Sequence, residues 1–171
     1  DVQAVLVDDL ITGFETSLTI EFEAGYALSV SAEGNYQSTL NIESDFVTLT
    51  GKGGKLQVDS NGYTGTKAIN VSGQRLDAVV TIENLFLEQV GNSDQGAVGI
   101  ITESPLAAHV IRNNVIFGFG DYGVFSAHKT YLYNNTLTHN NNGVGLTSFT
   151  GEAYNNLSVH NLTSDYYRWL Y

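Results

Sequence analysis

Three doubled asparagines, Asn113-Asn114, Asn134-Asn135 and Asn155-Asn156, recur at intervals of 21 residues, and this spacing restricts the fold more than any other feature of the chain. Two residues ahead of each pair stand Ile111, Leu132 and Ala153; two residues behind come Ile116, Leu137 and Ser158. One repeat earlier, across a longer excursion, Ile82, Asn84 and Leu87 fit the same template. A period near 21 is too short for a two-helix repeat, and the residues around each pair favour strands. Each repeat therefore reads as one turn of a stacked β-coil. Its inward side chains should form columns: Ile82, Ile111, Leu132 and Ala153 in one, Leu87, Ile116 and Leu137 in another. Asparagine suits a corner of such a coil because it tolerates a left-handed backbone and its amide bonds to the same amide one turn above and below. Asn113, Asn134 and Asn155 are expected in register along one edge.

Earlier in the chain, Val2, Leu6 and Leu10 recur at helical spacing and Gly13 follows, which predicts a short N-terminal capping helix within residues 1–14. From residue 18 the pattern changes to alternation: Leu18, Ile20 and Phe22, then Tyr26, Leu28 and Val30, then Leu40, Ile42, Val47 and Leu49. Gly51-Lys52-Gly53-Gly54 reads as a corner, because no strand-loop-helix pattern surrounds it as a phosphate loop requires. Residues 68–71 and 79–87 keep the strand rhythm, and 91–96 read as an inserted polar loop. The whole gives one domain: a cap over 1–14, about seven or eight rungs over 15–164, and an aromatic end over 165–171.

At 171 residues and 42% hydrophobic content the chain has enough apolar surface for a single core. Its net charge of -11 repels phosphate backbones and anionic headgroups, which argues against nucleic acid as a partner. Residues 1–51 hold nine carboxylates and neither Lys nor Arg, a solvated acidic surface. There is no Cys, hence neither a disulfide framework nor a thiolate metal site. The chain starts at Asp1 and has no apolar run of transmembrane length, so a processed segment without membrane insertion is expected. Low charge density with abundant Asn, Thr, Ser and Gly points to an extracellular location or the cell surface.

The segments VTLTGKGGKL, AINVSG, TIENLFLEQVG, VIRNNVIFGFGDYGV, YLYNNTLTHNNNGVGL and AYNNLSVHN resemble the repeats of the pectate-lyase-like superfamily, and SLTIEFEAGYALSVS resembles that family's first rungs. The resemblance covers nearly the whole chain. It implies an all-β, single-stranded right-handed parallel β-helix, a solenoid of about 21 residues per rung, closed by the short N-terminal helix. That coil serves lyases, glycosidases, epimerases, phage tailspikes, adhesins and non-catalytic proteins, so activity must be argued from side chains. Lyases of this family use a cation or a base beside an Arg or Lys. Basic residues here are only Lys52, Lys55, Lys67, Arg75, Arg112, Lys129 and Arg168. The candidate catalytic set is Glu103, Asp121, Tyr122, His128 and Lys129, within which DYGVFSAHK resembles the tyrosine, aspartate and histidine motif of alginate epimerases. Phe125 or Ser126 stands where that motif has its aspartate. No cofactor is expected, with calcium the one ion the lyase resemblance leaves open.

Arg112, Tyr133 and Tyr154 fall one period apart and form a candidate carbohydrate-binding flank, or a shield over the asparagines below. His139 and His160, also 21 apart, should stack, but two nitrogens without a third ligand are expected to hold no metal. Glycosylation sequons occur at Asn70, Asn134, Asn156 and Asn161. If Asn134 and Asn156 are ladder residues, Asn161 is the expected acceptor. Tyr166, Tyr167, Trp169, Leu170 and Tyr171 make the C-terminal end a candidate interface. The expected function is an extracellular structural or adhesive module that associates end to end with itself or neighbouring subunits. The alternatives are a polysaccharide lyase or epimerase, or a tailspike-type glycan-binding fragment. A short coil and few basic residues favour the first.

Overall fold

A computed structural model describes residues 18–43, 45–72, 76–91, 96–147 and 150–168. The expected N-terminal helix and the residues Trp169, Leu170 and Tyr171 lie outside them. Where hydrophobic residues alternate, the chain is extended, and the described residues form eighteen strands, three to a rung. The first rung is β1 (Leu18–Glu21), β2 (Ala27–Ser31) and β3 (Ser38–Ile42); the second is β4 (Phe46–Thr50), β5 (Lys55–Asp59) and β6 (Lys67–Val71). The third is β7 (Val79–Glu83), β8 (Phe86–Val90) and β9 (Val98–Thr102); the fourth is β10 (Ala108–Arg112), β11 (Val115–Phe117) and β12 (Tyr122–Ser126). The fifth is β13 (Thr130–Tyr133), β14 (Thr136–Thr138) and β15 (Asn142–Leu146); the sixth is β16 (Gly151–Tyr154), β17 (Leu157–Val159) and β18 (Ser164–Arg168). Every third strand pairs in parallel, giving three six-stranded sheets: sheet A from β1 to β16, sheet B from β2 to β17 and sheet C from β3 to β18.

The predicted columns exist. Ile82, Ile111, Leu132 and Ala153 are in register along sheet A, and Leu87, Ile116 and Leu137 along sheet B. All but Ala153 are buried; Ala153, on the last rung, is exposed. A third column, Leu40, Ile69, Ile100, Val124 and Val144, comes from sheet C. The core is thus a stack of aliphatic layers between three sheets.

Two expectations need correction. The step of 21 holds where Ile111 meets Leu132 and Leu132 meets Ala153, but Leu18 meets Val47, 29 residues on, and Phe46 meets Val79, 33 on. The early rungs carry longer connections, so the described residues make six rungs where seven or eight were expected. The doubled asparagines also divide their labour. The first of each pair, Asn113, Asn134 and Asn155, takes the left-handed corner (φ 57°, 55° and 53°), as Asn84 does one rung earlier. The second makes the ladder. Asn114 Nδ2 donates to Asn135 Oδ1 (3.1 Å) and Asn135 Nδ2 to Asn156 Oδ1 (2.9 Å). Each of these amides also donates to a backbone carbonyl of the rung before: Ile82, Ile111 and Leu132. A shorter second ladder, Asn140 to Asn161, runs along the corner between sheets B and C, beside left-handed His139 and His160.

Candidate functional site

Strand pleating places Tyr131 and Tyr133 on the outer face of sheet A, because Leu132 between them is buried in the core. Register then aligns Arg112, Tyr133 and Tyr154 on three successive rungs. The Tyr133 and Tyr154 rings are parallel to within 3° with centroids 6.1 Å apart, and Tyr131 lies 6.2 Å from Tyr133. Lys129 Nζ sits 5.8 Å from the Tyr131 ring, at the outer limit of a cation–π contact. The polar groups around the rings are already matched: Arg112 Nε donates to Glu83 at 2.6 Å, and the Tyr133 hydroxyl donates to Glu152 at 3.1 Å. Partial desolvation first, and the Glu152 carboxylate second, hold the Tyr133 hydroxyl above its usual pKa, so it stays a donor. Adjacent aromatic rings with hydroxyl, carboxylate and guanidinium groups at their margins suit the apolar faces and rim hydroxyls of sugars.

The five candidate catalytic residues do not converge. Asp121 and Tyr122 lie at the start of β12, while His128 and Lys129 lie past its end. The five extended residues of β12, from Tyr122 to Ser126, span about 13 Å before the chain bends at Ala127 and His128. Tyr122 instead packs on Phe125 (5.1 Å between centroids), over the space left by Gly145. Glu103 shares the corner of His128, where the Ala127 amide reaches the Thr102 carbonyl, but its carboxylate is engaged by Lys67 at 2.9 Å. Spacing along the sequence brought together residues that a strand holds apart.

The predicted histidine stack forms, with ring centroids of His139 and His160 5.8 Å apart and Phe117 5.1 Å from His139. Among the described residues no group of three or more His, Asp or Glu side chains is placed to hold a metal ion. Asn161 is half-buried, and its Nδ2 is held by the Leu137 carbonyl, Ser158 Oγ and Asp165 Oδ1. It closes the second ladder, which is not the exposed position expected of it. Tyr166 is half exposed and its hydroxyl donates to the Asn156 carbonyl at 3.4 Å; Tyr167 pairs through its backbone with Gly145.

One polar site went unread in the sequence. His109 is fully buried, and its backbone N–H (3.1 Å) and ring Nδ1 (3.2 Å) both meet the Lys129 carbonyl. A carbonyl only accepts, so Nδ1 carries the proton and the neutral ring keeps its lone pair on Nε2, which has no partner among the described residues. Desolvation, reinforced by nearby His128 and opposed by the Lys129 carbonyl, lowers its pKa to about 4. At the same corner the hydroxyls of Thr102, Ser126 and Thr130 bond to one another, with Ser126 and Thr130 2.7 Å apart. The signal was present: Ala107, His109 and Ile111 alternate, which puts the imidazole on the inward face. No family model, curated protein or solved structure matches this chain, so its function rests on its own residues.

Proposed function

We propose that this chain is an extracellular structural or adhesive coil, of the right-handed pectate-lyase-like type its segments resemble, which binds polysaccharide along the tyrosine face of sheet A. The observation that carries the reading is the aligned Tyr133–Tyr154 pair, set on adjacent rigid strands with Tyr154 58% exposed. Arg112 is neutralised by Glu83, and the chain as a whole is acidic, which favours a neutral glycan over a uronate polymer. Association with itself or with neighbouring subunits is supported by the last described rung, whose Leu157, Leu162 and Tyr166 are 53%, 84% and 51% exposed.

Affinity electrophoresis through gels holding glucomannan, xylan, β-glucan, alginate or pectate tests the reading. Retardation by a neutral polymer is expected. Losing both rings in Tyr133→Ala/Tyr154→Ala should weaken binding roughly tenfold or more, since each aromatic contact contributes about 0.5–1.5 kcal/mol. The same mobility in every gel, or retardation that survives the double substitution, would show that the tyrosines serve only to cover the strands beneath them.

A further inference from the structure

The division of labour within each asparagine pair reassigns the sequons. We infer that Asn134 is the N-glycan acceptor of this chain, a modification that rests on the extracellular reading above. Of the four sequon asparagines, three have committed amides. Asn70 Nδ2 donates to Asn41 Oδ1 at 3.3 Å on the face of sheet C. Asn156 points into the first ladder, with Nδ2 on the Leu132 carbonyl (2.8 Å) and Oδ1 on Asn135. Asn161 has three partners on Nδ2 alone. A sugar on any of these would have to displace a contact that joins one rung to the next.

Asn134 differs on every count. It is exposed, it occupies the left-handed corner with φ 55°, and no group among the described residues takes up its amide. Its backbone N–H meets the Tyr154 carbonyl, which fixes the corner without using the side chain. The other corner asparagines, Asn113 and Asn155, are exposed too, but they are followed two residues on by Val115 and Leu157, where Asn134 is followed by Thr136. Thr136 is half-buried in β14 beside inward Leu137, so it faces out of sheet B. Its hydroxyl has no partner among the described residues, whereas Ser158 Oγ is spent on the Asp165 carbonyl and Thr163 Oγ1 on Asn141. Accessible amide and accessible hydroxyl therefore coincide at one sequon.

In the transfer, Asn134 Nδ2 forms a bond to C1 of the first sugar of a lipid-pyrophosphate oligosaccharide. The bond from C1 to the pyrophosphate oxygen breaks, the lipid pyrophosphate departs as the anion, and an amide proton passes to water. One N–H remains on the amide, and no ladder bond is lost. Chains modified at Asn134 complete the coil, while chains modified at Asn156 or Asn161 carry a sugar where two rungs must meet.

The test is expression of the full chain behind a secretion signal in cultured animal cells, with glycopeptide mapping of secreted and cell-retained protein together. The expected result is glycan on Asn134 in most chains, removed by peptide-N-glycosidase, and absent from both Asn134→Gln and Thr136→Ala. Chains carrying no glycan, or carrying it mainly at Asn70, Asn156 or Asn161, would overturn the assignment. Because the signal and host are supplied, failure here counts against Asn134 and not against an extracellular location. The enzyme-stripped protein can be run on the polysaccharide gels, which keeps this outcome separate from glycan binding by the tyrosine face.

Discussion

Two adjacent asparagines look interchangeable in sequence and carry different burdens in the fold. Asn135 is buried, and removing its amide leaves the Asn114 N–H, the Asn114 Nδ2 and the Ile111 carbonyl short of partners. At about 1–3 kcal/mol for each buried group left unmade, Asn135→Ala should cost several kcal/mol in urea unfolding. Asn134→Gly keeps the left-handed corner and should fall within about 1 kcal/mol of the parent, while Asn134→Ala should cost about 1–2 kcal/mol in backbone strain alone. Equal losses at the two positions would dissolve the distinction. His109 supplies a second test. Its folded pKa of about 4 lies below the ordinary value of 6.5, so on acidification the unfolded chain takes up the proton first. Stability is full above pH 6.5 and falls as the pH drops towards 4, at about 1.4 kcal/mol per unit. Glu88, lowered chiefly by its hydrogen bond from Gln57, contributes stability lost only at more acid pH. Between pH 6.5 and 4.5 the slope should therefore flatten in His109→Gln, measured by urea midpoints across that range.

At the scale of strands, the sequence disclosed sheets A and B better than sheet C. Around the asparagine pairs, large aliphatic residues recur at one spacing, and Leu132 and Leu137 announce their burial. Leu132→Ala should cost roughly 2–5 kcal/mol, and an unchanged unfolding midpoint would contradict the buried position seen here. Sheet C hides its strands behind glycine. An added Cβ at Gly99 would meet the Gly123 carbonyl oxygen at 2.5 Å, and one at Gly123 would meet the Gly143 oxygen at 2.9 Å; at Gly143 it would lie 2.0 Å from Ser158 Oγ. These glycines are set by neighbours one rung away, which no alternation of polar and apolar residues records. The Cβ at Gly143 would also meet the backbone Asp165 carbonyl oxygen at 2.5 Å, which cannot turn aside as the Ser158 hydroxyl can, so Gly143→Ala should destabilise by at least about 1–3 kcal/mol, as read by thermal unfolding. The candidate site was legible in part for the same reason. Arg112, Tyr133 and Tyr154 share the period, so register alone assembled them, whereas Asp121 and His128 are neighbours in sequence that a strand separates.

For the whole molecule, a net charge of -11 means that carboxylates outnumber cations and repel one another. Among the described residues, the ion pairs of Lys52 with Glu21, Lys55 with Glu88, Lys67 with Glu103 and Arg112 with Glu83 set attraction against this repulsion. Raising sodium chloride from about 10 to 150 mM shortens the screening length from roughly 30 to 8 Å, so the unfolding temperature should rise. A fall would mean that the ion pairs outweigh the repulsion. The ladders give the molecule a second electrostatic character, one of direction. In both, every bond from one carboxamide to another runs towards the C-terminal rung: Asn114 to Asn135 to Asn156, and Asn140 to Asn161. Their dipoles therefore add head to tail, like peptide units along a helix, and leave partial positive charge at the last described rung. Asp165 places its carboxylate there, 2.8 Å from Asn161 Nδ2, as an acidic residue caps a helix N-terminus. Two chains laid end to end in opposite senses would set like poles together; laid in the same sense, they would extend a single polar filament.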